Sequence, residues 1–137
     1  MMLQDMAEYL RMQGAASPGE DLFIGALPNS PDGCIALFEY AGWPSSRIAG
    51  TAAPGLQVVC RSKADYAGAE QALAEIHRAL MRIGYVDYDT DGLTIVNGRI
   101  YYLAEPVASG VTPLGEDDNG RIRLARSYYI LMEDEQN

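Results

Sequence analysis

Basic residues are scarce in this chain of 137 residues: Lys63 is the only lysine, His77 the only histidine, and 10 Lys+Arg stand against 19 Asp+Glu, for a formal net charge of -9. A chain so charged cannot neutralise many phosphates, so sequence-specific nucleic-acid binding is not expected. An anionic membrane surface is disfavoured on the same ground. Long apolar runs are missing as well. No stretch reaches the roughly 18 apolar residues that a membrane span requires. The opening MMLQDMAEYLRMQG has neither the basic start nor the apolar core of a secretory leader. Synthesis in the cytosol is the expectation.

Cysteine is sparse too. Cys34 and Cys60 each sit inside an apolar run, CIALFEY and LQVVC, where a free thiol behaves as a small buried hydrophobe. A bridge would need neighbouring strands and an oxidising compartment that nothing in the sequence indicates. The parts for catalysis are also short. His77, among Ala74, Arg78 and Met81, reads as a surface helix residue with no second ligand to share a zinc ion. There is no nucleophile elbow for Ser-His-Asp chemistry and no glycine-rich phosphate cradle. No enzymatic activity and no cofactor are expected.

What is present is an ordinary globular composition, 48% hydrophobic and 21% charged, at a length that suits one domain burying roughly 68% of its unfolded surface. Leu3, Met6, Ala7 and Leu10 recur at helical spacing, with Gln4, Asp5, Glu8 and Arg11 facing away. Gly14 and Pro18 end that helix. LFIGALP, the turn cluster Asn29 to Gly33 and CIALFEYA read as strand, turn and strand. Ala41 to Gly55, with its glycines, prolines and the only tryptophan, shows neither period and reads as a long loop. LQVVCR is strand-like. Ala69, Ala72, Leu73, Ile76, Leu80 and Ile83 form one helical stripe over 65–83, stopped by Gly84. LTIV and RIYYLAE flank Asn97-Gly98, a strong hairpin signal. A long loop over 106–120 then leads to RIRLARSYYILM, whose alternation marks one buried face and one wet face. The acidic EDEQN terminus is expected to fray. Together these predict one α+β domain over 1–137, a mixed or antiparallel sheet of about five to six strands with two helices packed on one face.

Asp87, Asp89 and Asp91 match the first half of a calcium loop. The twelfth position falls on Gly98 rather than a bidentate glutamate, and the outgoing segment is strand-like, so an acidic turn is the favoured reading and no metal is expected. Glu116 to Gly120 reads as a second acidic turn.

Three segments, CIALFEYAG followed by a Pro-containing loop, PGLQVVCRSKADYAGAEQALAEIHRAL, and TPLGEDDNGRIRLARSYYI, together resemble a tailed-bacteriophage family often called minor capsid proteins. Its characterised relatives are tail terminators or tail-completion proteins. Asp65-Tyr66-Ala67-Gly68-Ala69 matches the family's strand-to-helix junction. Pro113, Leu114, Gly115, Asp117 or Asp118, Gly120 and Arg121 match the motif before its last strand, with Glu116 where a basic or neutral residue is usual. The resemblance implies a virion structural protein: a hexameric ring at the head-proximal end of the tail tube, contacting itself, the tail tube protein and the head–tail connector proteins. A ring protomer needs heterologous edges, and such a sheet can lend an edge strand or a loop to its neighbour.

The expected interaction residues are Trp43 and Arg47 in the first loop, because loops on a rigid sheet carry binding and Trp and Arg are frequent hot spots. Glu116, Asp117 and Asp118 of the second loop and Arg121, Arg123 and Arg126 of the last strand complete the set. The clustering of acids apart from these arginines suggests segregated patches for subunit pairing and a DNA-repelling channel. A head-completion or adaptor protein of the same particle, or a small acidic interaction module with calcium at Asp87 to Asp91, are the alternatives.

Overall fold

The computed structural model describes residues 2–46, 48–63, 65–84 and 93–134. It is an α+β fold with helices α1 (Met2–Met12) and α2 (Tyr66–Met81) and strands β1 (Leu22–Ile24), β2 (Cys34–Ser46), β3 (Thr51–Lys63), β4 (Thr94–Val96), β5 (Arg99–Pro106), β6 (Thr112–Glu116) and β7 (Arg121–Glu133). The strands make one 7-stranded sheet in the order β1-β2-β3-β7-β5-β4, with β6 also paired to β7. Because β3 pairs with β7 from Arg121 to Glu133, β5 and β6 share its other edge. The sheet is mixed: β1 runs parallel to β2, and every other pair is antiparallel.

The clearest sequence signals become the expected elements. The apolar stripe of α2 buries Ala69, Leu73, Ile76 and Leu80, with Ile83 buried just beyond the helix, and Gly84 stops it with φ 84, a left-handed value that glycine adopts without steric cost. Asn97 (φ 51) and Gly98 (φ 79) give the two left-handed residues that a tight hairpin between β4 and β5 needs. Val96 accordingly pairs with Arg99.

One hydrophobic cluster joins Met6 and Leu10 of α1, Leu73, Ile76 and Leu80 of α2, and alternate sheet residues including Leu37, Leu56, Val58, Leu124, Tyr128 and Ile130. Each large side chain so buried contributes roughly 1.5–3 kcal/mol relative to exposure. Tyr9 adds a directed link between the helices, its hydroxyl donating to the Ala79 carbonyl at 2.7 Å. Burial pushes that phenol up to about 12. Cys34 and Cys60 are both buried and free. Ile35 stands opposite Cys60 and Cys34 opposite Arg61, so alternation sends the two thiols to opposite faces of the sheet.

Several expectations are corrected. β1 and β2 are not a hairpin. Leu22 to Ile24 run parallel to Ile35 to Leu37, because the nine residues 25–33 carry the chain back along the sheet before β2 begins. This return segment is pinned by two buried arginines. Arg61 donates from Nε to the Asp32 carbonyl at 2.9 Å and from Nη2 to the Pro31 carbonyl at 2.7 Å. Arg121 donates from Nη1 to the Asn29 carbonyl at 2.6 Å. Arg121 is therefore on no wet face.

Ala41 to Gly55 is not a loop either. It is strand over 41–46 and 51–55, with a turn at 48–50, and it extends β2 and β3 into a long hairpin. Likewise 106–120 holds β6, which raises the strand count among the described residues to seven. Asp5 does not face away from the core. It is 1% exposed, accepting from Asn97 Nδ2 at 2.8 Å, Arg99 Nη1 at 3.0 Å and the Tyr101 hydroxyl. The EDEQN end is not frayed at its start, because Glu133 closes β7 opposite Thr51 and the Asp134 amide donates to the Gly50 carbonyl. Its last residues, 135–137, lie outside the described residues, as does the acidic turn with Asp87, Asp89 and Asp91.

Candidate subunit interface

The distal half of the β2–β3 hairpin forms an arm whose shape is set by small residues. Its ladder shifts register between Tyr40 and Trp43 and again between Trp43 and Ser46, as bulges do when they bend and twist a strand. Gly42 sits at the first shift. A Cβ there would stand 1.9 Å from the Ala53 carbonyl oxygen and 2.8 Å from the Gly55 nitrogen, both backbone atoms. Gly42→Ala therefore forces the two arm strands apart, at the roughly 1–3 kcal/mol typical of overpacking. Hydrogen exchange should show amides of 43–54 losing protection while those of α2 keep theirs.

Gly55 does a second job. It leaves room for the Tyr40 ring to lie over β3 and approach Tyr129 of β7, with centroids 6.2 Å apart. Trp43 packs its ring against the same Tyr129 at 5.7 Å, and the Tyr40 hydroxyl donates to the Tyr128 carbonyl at 3.1 Å. Tyr129 thus anchors the arm's aromatic face, and its position in the long apolar end of β7 gave no local sign of it. Beyond this contact Trp43 is 65% exposed and Ile48 fully so. The tip is tied back by the Ala49 amide to Ser46 Oγ at 3.2 Å and by the Asp134 amide to the Gly50 carbonyl at 2.8 Å. Arg47, the other expected residue of this arm, lies outside the described residues.

The outer edge of β2 is open along the arm. β1 pairs only with Ile35 to Leu37, and the Gly25 amide then caps the Leu37 carbonyl at 2.8 Å. From Phe38 to Ser46 no other strand lies beside that edge among the described residues.

The second group of expected residues divides in two. Glu116 and Asp118 are exposed. Asp117 instead closes the turn, its carboxylate accepting from the Arg121 amide at 3.0 Å, the Asn119 amide at 2.9 Å and Arg121 Nε at 2.7 Å. Those bonds, the Arg121 amide foremost, hold its pKa below the usual carboxylate range. Arg121 is thereby committed to the fold. Arg123 reaches the Leu114 carbonyl at 3.2 Å. The Nε atoms of Arg123 and Arg126 are buried without a hydrogen-bond partner. Register places Arg123 and Arg126 on opposite faces of β7, so the final strand presents no single basic patch.

His77 is half-buried rather than on the surface, sharing a hydrogen bond of 2.7 Å between Nδ1 and the Tyr128 hydroxyl. Burial first, and then the Arg126 guanidinium, hold the imidazole below its ordinary 6.5. The unfolded chain therefore takes up this proton before the folded one. Stability falls as pH drops below 6.5, until the folded imidazole titrates too. His77→Gln removes that component: between pH 6.5 and 5.5 its melting temperature should decline less than the wild type's in parallel thermal scans. Burial also pushes the Cys60 thiol and the Tyr128 phenol up to about 12, leaving both neutral at physiological pH.

Among the described residues no three His, Cys, Asp or Glu side chains stand close enough to hold a metal ion. The arrangement offers exposed apolar surface and an open strand edge, which are features of recognition. No curated protein matches the sequence. The family model described as bacteriophage tail terminator protein matches residues 9–134, nearly the whole chain, and the protein belongs to that family of phage structural proteins.

Proposed function

We propose that this protein acts as a tail terminator by closing into a homo-hexameric ring at the head-proximal end of the tail tube. There it stops tube polymerisation and joins the tail to the head connector. The carrying observation is the arm: a family of tail terminators here displays a hairpin that exposes Trp43 at 65% and Ile48 entirely, next to an open β2 edge. Water-exposed aromatic surface of this kind marks contact sites, and tryptophan is among the residues that dominate interface energetics.

In this reading both helices cover one face of the sheet and leave its edges and arm to neighbours. Trp43 and Arg47 form one contact, and Glu116, Asp118 and Arg123 belong to the other side. Asp117, Arg121 and Arg126 support these positions from within the fold. The partners are further copies of the chain, the tail tube protein and the head–tail connector proteins, and the protein resides in the virion at the head–tail junction. The charge of -9 suits a ring whose lumen repels passing DNA.

Native mass spectrometry of the purified protein, with negative-stain imaging, tests the ring. The expected result is a species of six subunits in equilibrium with monomer, imaged as annuli. A strict monomer at every concentration, alone and with tail tube protein, overturns it.

A further inference from the structure

Two exposed surfaces lie to either side of β7 in the strand order, and they complement each other. On one side is the arm with Trp43 (65% exposed) and Ile48 (102%). Its sequence from Tyr40 to Cys60 holds a single charged residue, Arg47. On the other side, β5 and β6 border the far edge of β7. All five residues of β6 are exposed, and Val107 (49%) and Leu114 (39%) add apolar area. The charged residues from Glu105 to Asp118 are Glu105, Glu116, Asp117 and Asp118, every one acidic. Asp117 is taken by Arg121, whereas Glu105, Glu116 and Asp118 are exposed.

We infer that the arm of one copy seats on the β5–β6 edge of the next, with Trp43 and Ile48 covering Val107 and Leu114 and the arm's positive charge meeting Glu116 and Asp118. The occupant is a second copy because both halves of the match belong to one chain, on strands that border opposite edges of β7. Such a heterologous contact repeats from copy to copy and closes only as a ring or runs on as a filament. Register on β6 shifts between Pro113 and Gly115, and Gly115 has φ 80. A proline and a left-handed glycine blunt an edge against regular strand addition. The contact is therefore carried by side chains rather than by a continued ladder. The inference rests on the ring reading above and specifies which surfaces build it.

The test is a chain carrying both Ser45→Cys and Thr112→Cys, treated with a short bismaleimide. Both positions are exposed, whereas Cys34 and Cys60 are buried and give little background. The expected result on denaturing gels is a covalent ladder up to the ring size in the double variant, and none in either single variant. A ring seen by native mass spectrometry without a ladder overturns this pairing and leaves the ring standing. Absence of any oligomer overturns the ring and the pairing together. As a second measurement, Arg47→Glu should weaken assembly roughly tenfold, and adding Glu116→Lys and Asp118→Lys should restore it. Failure of that restoration, with the triple variant folded by circular dichroism, also contradicts the pairing.

Discussion

Asp5→Ala should lower the unfolding free energy by about 3–5 kcal/mol, the loss typical of breaking a buried charged pair from one side. The carboxylate is 1% exposed and joins α1 to the β4–β5 hairpin through Asn97, Arg99 and Tyr101. These partners lie more than ninety positions away in sequence, so the link closes a long loop and fixes where the helix sits. Without it, the buried Tyr101 hydroxyl and the half-buried Arg99 guanidinium lose this acceptor, and a hydrogen bond to a charged group contributes about 1.5–3 kcal/mol. A charge-removing but shape-preserving change, Asp5→Asn, should cost less. Urea titrations read both: the midpoint should fall with an unchanged slope, and amides of α1 should lose protection first in hydrogen exchange. A loss under about 1 kcal/mol would show that the carboxylate is replaceable, against the general cost of unsatisfied buried groups.

The second large effect falls on assembly and leaves the protomer intact. Trp43→Ala should raise the dissociation constant for self-association about thirtyfold or more, as truncating an aromatic hot spot does. Trp43 is 65% exposed and touches its own chain through Tyr129, outside the main hydrophobic cluster. Its removal should therefore change protomer stability by less than about 1 kcal/mol. Sedimentation velocity over a concentration series separates the two quantities. Unchanged assembly by a folded Trp43→Ala variant would take the arm out of the interface.

What could be read in the sequence follows the range of the forces involved. The stripe of α2 and the Asn97-Gly98 hairpin are local patterns, and local patterns survive in sequence. The arm has the sequence of a loop because Gly42, Pro44, Pro54 and Gly55 are poor strand residues. They are strand here because β7 backs the hairpin as far as Thr51 opposite Glu133, a partner supplied from the far end of the chain. β6 is missed for the same reason, since among the described residues β7 is its one strand partner. Asp5 fits the polar side of an amphipathic pattern, and nothing nearby in sequence signals the hairpin that buries it. Arg121 shows both cases: Asp117 lies within its own turn, but Asn29 and the return segment that complete its burial do not. The family itself was legible from ordered segments. Of the candidate interface residues, Trp43, Glu116 and Asp118 are exposed, while Arg121 is drawn into the fold by contacts that composition cannot show.

The most direct measurement is cryo-imaging of the assembled phage particle with this chain traced in the density. The proposal predicts a ring of its copies seated between the last tail-tube layer and the head connector, with each Trp43 against a neighbouring copy. Density for this chain anywhere else in the particle, or single copies without contacts between them, would contradict it.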